Sequence, residues 1–232
     1  MLLRSLCIIM LPFILGVKPQ QTTTNNQVNK EQDPKATILD LLYHGKLDPA
    51  ISLLNALSTD SPRYKHLLAA VKLQIMVHKE EWDDIIQFPL TPDLGIIEKS
   101  LVLIGKGMAF AHKQNMQQAI EQIRQINGLK SLKDYKNFQD EVDYSSLFLS
   151  GYLRLRQRKF HNTLRLFKRA SKLERKLGNR NDYSWVYNAL YFLGFTYQLT
   201  SRKHEAVATY KKVLRKWPHM TKAALKIKEI SI

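Results

Sequence analysis

The stretch that decides the fold is Leu190 to Pro218, LYFLGFTYQLTSRKHEAVATYKKVLRKWP. Leu190, Leu193 and Tyr197 recur at i, i+3 and i+7, which is one stripe of a helix. Ala206, Tyr210 and Val213, at i, i+4 and i+7, make a second such stripe, and Ser201-Arg202-Lys203 between them reads as a short turn. Gly194 and Ala206 are small where two antiparallel helices must cross closely. Pro218 stops the second helix, because proline has no amide hydrogen for the next backbone bond.

Weaker copies of this hairpin lie upstream, centred on Gly151, Gly107, Leu73 and Ile38. Each is followed twelve residues later by a compact or apolar residue: Thr163, Ala119, Ile85 and Ala50. The first-helix positions 38, 73, 107, 151 and 194 are separated by 35, 34, 44 and 43 residues. Such a period marks a stack of helical hairpins, in which each unit buries its apolar face against its neighbours. The composition fits: 44% of the 232 residues are hydrophobic, and only 9 glycines and 8 prolines interrupt long helical stretches. No run alternates β-branched residues as a strand would, so an all-α fold is expected.

The last copy resembles the tetratricopeptide repeat family. Leu193, Gly194 and Tyr197, then Ala206 and Tyr210, then Pro218 stand at that family's spacings. Ser201 replaces the usual turn glycine, and Val213 the second small alanine. The segment His44-Gly45-Lys46-Leu47-Asp48-Pro49-Ala50 is similar to a turn of the family entering its second helix. The first copies have the family's usual length, and the last two resemble its longer-helix variant. The resemblance implies an α-solenoid of tetratricopeptide-type hairpins, a right-handed superhelix of about ten helices over residues 34–232. It also implies that first helices line a concave groove that holds a protein or peptide. Carried over position by position, the groove residues are Gln74, His78, Met108, His112, Tyr152, Arg156, Asn188, Tyr191, Phe195 and Gln198.

The N-terminus reads differently. Arg4 precedes an apolar run from Leu6 to Val17, shorter than the roughly 20 residues a spanning helix needs. Residues 1–17 are therefore expected to be a signal peptide that exports the chain to a periplasm or the exterior; the alternative is a short membrane anchor. Residues 18–33 are polar, with three threonines and no apolar cluster, and are expected to form a disordered linker. The only cysteine, Cys7, lies inside the apolar run, so no disulfide, thiol nucleophile or cysteine metal site is expected in the exported chain.

Charge is distributed unevenly. Residues 1–127 hold 13 Lys and Arg against 12 Asp and Glu, a net +1, whereas residues 128–232 hold 23 against 8, a net +15. The densest part, Arg154 to Arg180, carries eleven basic residues opposed only by Glu174. Such a field suits an acidic protein or an anionic membrane surface, and equally a solvated helix face. Arg165, Lys168, Arg169 and Lys172 span two turns of one helix and are the candidate basic surface. Nucleic acid is disfavoured, because the interleaved aromatics Tyr152, Phe160 and Phe167 fall on the packing stripe and export separates the chain from most nucleic acid.

Signals for catalysis are missing. There is no Gly-x-Ser-x-Gly, no phosphate-binding glycine loop and no dinucleotide fingerprint. The histidines at 44, 66, 78, 112, 161, 204 and 219 form no His-x-x-x-His pair, so neither a metal nor another cofactor is expected. Two function classes follow: a non-enzymatic scaffold or adaptor in the cell envelope that binds a partner in the repeat groove, or a basic-surface module for anionic lipid, an anionic polymer or an acidic protein.

Overall fold

The structure is a computed structural model. It describes residues 37–38, 41, 46–57, 69, 71–73, 75–77, 79–177, 188–216, 218 and 220–231, with the side chains of 47, 175, 188 and 221 outside the description. The expected signal segment, the linker, Gln74 and His78 also lie outside it. Among the described residues the chain is helical and contains no strand. The helices are α1 (Leu47–Ala56), α2 (Trp82–Gln87), α3 (Ile96–His112), α4 (Met116–Gly128), α5 (Gln139–Arg156), α6 (Phe160–Leu177), α7 (Asn188–Leu199), α8 (Lys203–Lys216) and α9 (Thr221–Ser231). Residues 37, 38 and 41, then 69, 71–73 and 75–77, are helical as well.

One turn is used again and again. Glu80, Gln114, Arg158 and Ser201 have φ of 58°, 63°, 58° and 58°, the left-handed region. Each stands seven residues after a first-helix position: Leu73, Gly107, Gly151 and Gly194. Around each of them the same pair of backbone bonds closes the helix. In the third copy the amide of Gln114 donates to Ala111 O and that of Asn115 to Phe110 O. The equivalent pairs are Glu80 to Val77 and Glu81 to Met76, Arg158 to Leu155 and Lys159 to Arg154, and Ser201 to Gln198 and Arg202 to Tyr197. The outer bond recurs in the first copy, where the Lys46 amide donates to Leu41 O. This is the Schellman closure, which satisfies carbonyls left over at a helix end and reverses the chain. Non-glycine residues occupy the left-handed site at a cost of about 1–2 kcal/mol each.

Burial follows the same period. Ile38 and Leu73 are fully buried, as are Ala50, Ile85, Ala119, Thr163 and Ala206, the five residues twelve positions on. A side-chain carbon added at Gly151 would stand 2.8 Å from the ring of Phe167, and one at Gly194 2.9 Å from that of Tyr210. The sequence pairing had set Gly194 against Ala206; its nearest neighbour across the hairpin is instead Tyr210, one turn further along. Gly107 differs again, since the missing side chain there gives way to Leu149 of α5, not to its own hairpin partner.

Consecutive helices pack as hairpins α3–α4, α5–α6 and α7–α8; α3 also packs on α5, and α6 on α7. The longer third interval has a local cause. Two 3-10 segments, Leu129–Ser131 and Lys133–Phe138, link α4 to α5. Both helices of the fourth hairpin run 18 residues. Phe192 joins the fourth and fifth hairpins, with ring centroids 5.7–5.8 Å from Phe148, Tyr152, Phe167 and Tyr191. The last helix, α9, follows the fifth hairpin, packs on α8 and buries Ala223 in the common core. No helix among the described residues is long and apolar enough to cross a membrane.

Candidate functional site

The fourth hairpin carries the strongest surface feature. Arg165, Arg169, Lys172 and Lys176 of α6 recur at i, i+4, i+7 and i+11, one face of a helix. All four are exposed, as is Lys168 on the flank. Lys176 reaches Asp140 at 3.5 Å, and Lys168 lies 5.8 Å from the centre of the Tyr197 ring. Among the described residues, Arg165, Arg169 and Lys172 have no carboxylate within ion-pair distance. The opposite face of α6 packs inward, with Phe167, Ala170 and Leu177 buried alongside Thr163 and Glu174, so packing turns the basic face outward.

Beside that face runs a cleft of about 580 Å³ lined by Lys130, Asp143, Ser146, Leu147, Arg169, Lys172 and Leu173. Three separate elements build it. Lys130 comes from the first 3-10 segment, Asp143, Ser146 and Leu147 from α5, and the rest from α6. Ser146 Oγ donates to Asn127 Oδ1 at 3.0 Å, which ties α4 to α5 at the rim. Lys130 and Asp143 pair at 2.7 Å, so their charges cancel locally and Arg169 with Lys172 dominate the cleft's field. Leu147 and Leu173 are half-buried and pack on the core, giving the cleft an apolar floor. Sequence alone singled out Arg169 and Lys172; the other five residues gave no signal, because nothing local says that three elements converge there.

The ten groove residues fall into distinct environments. Met108, Tyr152, Tyr191 and Phe195 keep only 5%, 6%, 6% and 7% of their surface exposed. Tyr191 stacks edge-on to Phe192, and burial raises its phenol pKa. His112 is half-buried and stacks on Trp82, with centroids 4.7 Å apart. Burial lowers its pKa, and the cations of Arg156 and Lys113 add to that. Arg156 is itself half-buried. Gln198 accepts a hydrogen bond from the Tyr210 hydroxyl at 3.1 Å and so holds its hairpin partner. Gln74, His78 and the side chain of Asn188 lie outside the described residues.

One buried and one half-buried ionisable group complete the electrostatics. Glu174, the lone acid in the basic run, is 1% exposed, and neither carboxylate oxygen has a hydrogen bond of good geometry. Burial pushes its pKa up to about 8, against the opposing pull of the Lys216 ammonium and the Leu190 amide. Lys222 of α9 is pushed down to about 8 by burial, opposed by Glu80. Comparison with protein-family models, with curated proteins and with solved structures found no match to this chain.

Proposed function

We propose that the chain is a non-enzymatic binding scaffold, an α-solenoid of tetratricopeptide-type hairpins in a right-handed superhelix. It docks an acidic protein through the exposed basic face of α6. The observation that carries this reading is the stripe of Arg165, Arg169 and Lys172, exposed and, among the described residues, without carboxylate partners, on a hairpin whose two helices each run 18 residues. The repeated Schellman turns and the fully buried positions twelve residues apart support the solenoid, because a stack of like units produces both. Partners met through such a field bind faster and weaken as salt rises.

The test is charge reversal. Arg165, Lys168, Arg169 and Lys172 changed together to glutamate should abolish salt-sensitive capture of acidic proteins while leaving the helical circular dichroism unchanged. A folded variant that captures as before at low salt reduces the stripe to a solubility feature.

A second reading places the partner against the first helices. It is favoured by the aromatic row of Tyr152, Tyr191 and Phe195 on consecutive first helices. Because these side chains are almost wholly covered, a partner would have to displace what covers them. Tyr152→Ala with Tyr191→Ala should then weaken capture, with retained capture by a folded double variant arguing for α6. The proposed site of action is the cell envelope. Residues 1–33 fused to a reporter active only after export should light up; a reporter confined to the cytosol would remove the envelope from the proposal.

A further inference from the structure

We infer that the cleft between α5 and α6 is a docking site for a short acidic peptide segment bearing an apolar side chain. The inference rests on the basic-face reading above and narrows it from an acidic surface to a particular chemistry. The apolar anchor would sit on Leu147 and Leu173, and the flanking carboxylates would meet Arg169 and Lys172.

Shape and charge argue for this occupant together. The cleft's volume of about 580 Å³ lies in the usual range of roughly 300–1,000 Å³ for clefts that enclose a ligand. Its apolar lining comes from two leucines, and the methylene stems of Arg169 and Lys172, which also line it, can cover apolar surface. Arg165, Arg169 and Lys172 follow one another at about 6 and 4.5 Å along the helix axis. Alternate side chains of an extended peptide are spaced about 6.6 Å apart, so successive acidic residues can address successive cations.

The same features disfavour other anions. A flat lipid surface can touch the exposed tips of Arg165 and Lys168 but cannot reach a recessed floor. A phosphate group carries its charge in one place, whereas the cations here are strung along two turns. On the facing wall the pairing of Asp143 with Lys130 at 2.7 Å shows that a carboxylate fits this rim. Ser146 lines the cleft and is bonded to Asn127.

The test uses the whole chain and fluorescein-labelled decapeptides read by anisotropy: one of glutamates with two central leucines, one all glutamate, and one with glutamine for every glutamate. The glutamate–leucine peptide should bind at least tenfold tighter than either of the others. R169E with K172E should abolish that binding. S146W, which fills the cleft without changing charge, should bring the glutamate–leucine peptide down to the level of the all-glutamate one. Circular dichroism and thermal melting check that both variants fold; should S146W unfold, S146M takes its place. Equal binding of the two acidic peptides, or no effect of filling the cleft, overturns the inference while leaving the basic-face reading intact. Persistence of binding in R169E/K172E overturns both. Vesicles rich in phosphatidylserine provide the last arm, and tighter binding to them than to the glutamate–leucine peptide also overturns the inference.

Discussion

Glu174 should make this protein less stable as pH rises through the neutral range. Its carboxyl is 1% exposed, lies within the packed fourth hairpin and titrates at about 8 in place of the ordinary 4.5. The folded state therefore keeps a proton that the unfolded chain gives up. Between pH 4.5 and 8 folding binds that proton, so stability falls as pH rises, and the loss is complete above pH 8. At 1.36 kcal/mol for each pH unit, the contribution from pH 5 to pH 8 is about 3 kcal/mol. Glu174→Gln keeps the volume and removes the titration. Urea denaturation at pH 5, 6, 7, 8 and 9 gives the difference between variant and parent at each pH, in which all other titrations cancel. The variant should gain on the parent by about 3 kcal/mol from pH 5 to pH 8 and then hold level. A difference that stays constant within about 0.5 kcal/mol would refute the buried, protonated carboxyl. That flat outcome is what Lys216, whose attraction opposes the shift, would produce by holding Glu174 ionised in the fold.

Three further outcomes follow from the packing. Gly194→Leu should destabilise by about 3 kcal/mol or more in chemical denaturation, since even its first carbon meets the Tyr210 ring at 2.9 Å; a loss under about 1 kcal/mol would contradict the close approach. Ser201→Val should cost about 1 kcal/mol in the left-handed turn while Ser201→Gly does not destabilise, and equal losses for both would contradict the turn. Lys222→Met should stabilise the protein at pH 7, with the gain shrinking as pH rises from about 8 towards 10.5, because the half-buried lysine is already neutral there in the folded chain; a gain that is flat over that range would place Lys222 in water.

The repeat register was legible because it is written in residue types that serve one purpose each. Glycine at 107, 151 and 194 admits a neighbour's side chain, and a compact residue twelve positions on is fully buried. The left-handed turn was legible only through its spacing, since Glu80, Gln114, Arg158 and Ser201 are not residues that favour it. The link of 3-10 segments between α4 and α5 was not foreseen, because Leu129 to Phe138 carries neither a clear helical stripe nor a strong turn signal. The basic stripe could be read from the i, i+4, i+7 spacing on an amphipathic helix. The cleft beside it could not, since Lys130, Asp143, Ser146 and Leu147 come from two other elements.

By itself the sequence determined that the described residues are helical, that glycine, compact or apolar residues recur twelve positions apart, and that α6 carries a cationic stripe. Those properties are periodic, and periodicity is a local record of which side of a helix meets its neighbours. Only the tertiary structure decided which neighbour each small residue admits: Phe167 for Gly151, Tyr210 for Gly194 and Leu149 for Gly107. It decided equally that Tyr152, Tyr191 and Phe195 are covered and that Glu174 is sealed from water. Burial, and the pKa that follows from it, belongs to the sum of everything packed around a group, and a single helix carries no trace of how its neighbours will close over it.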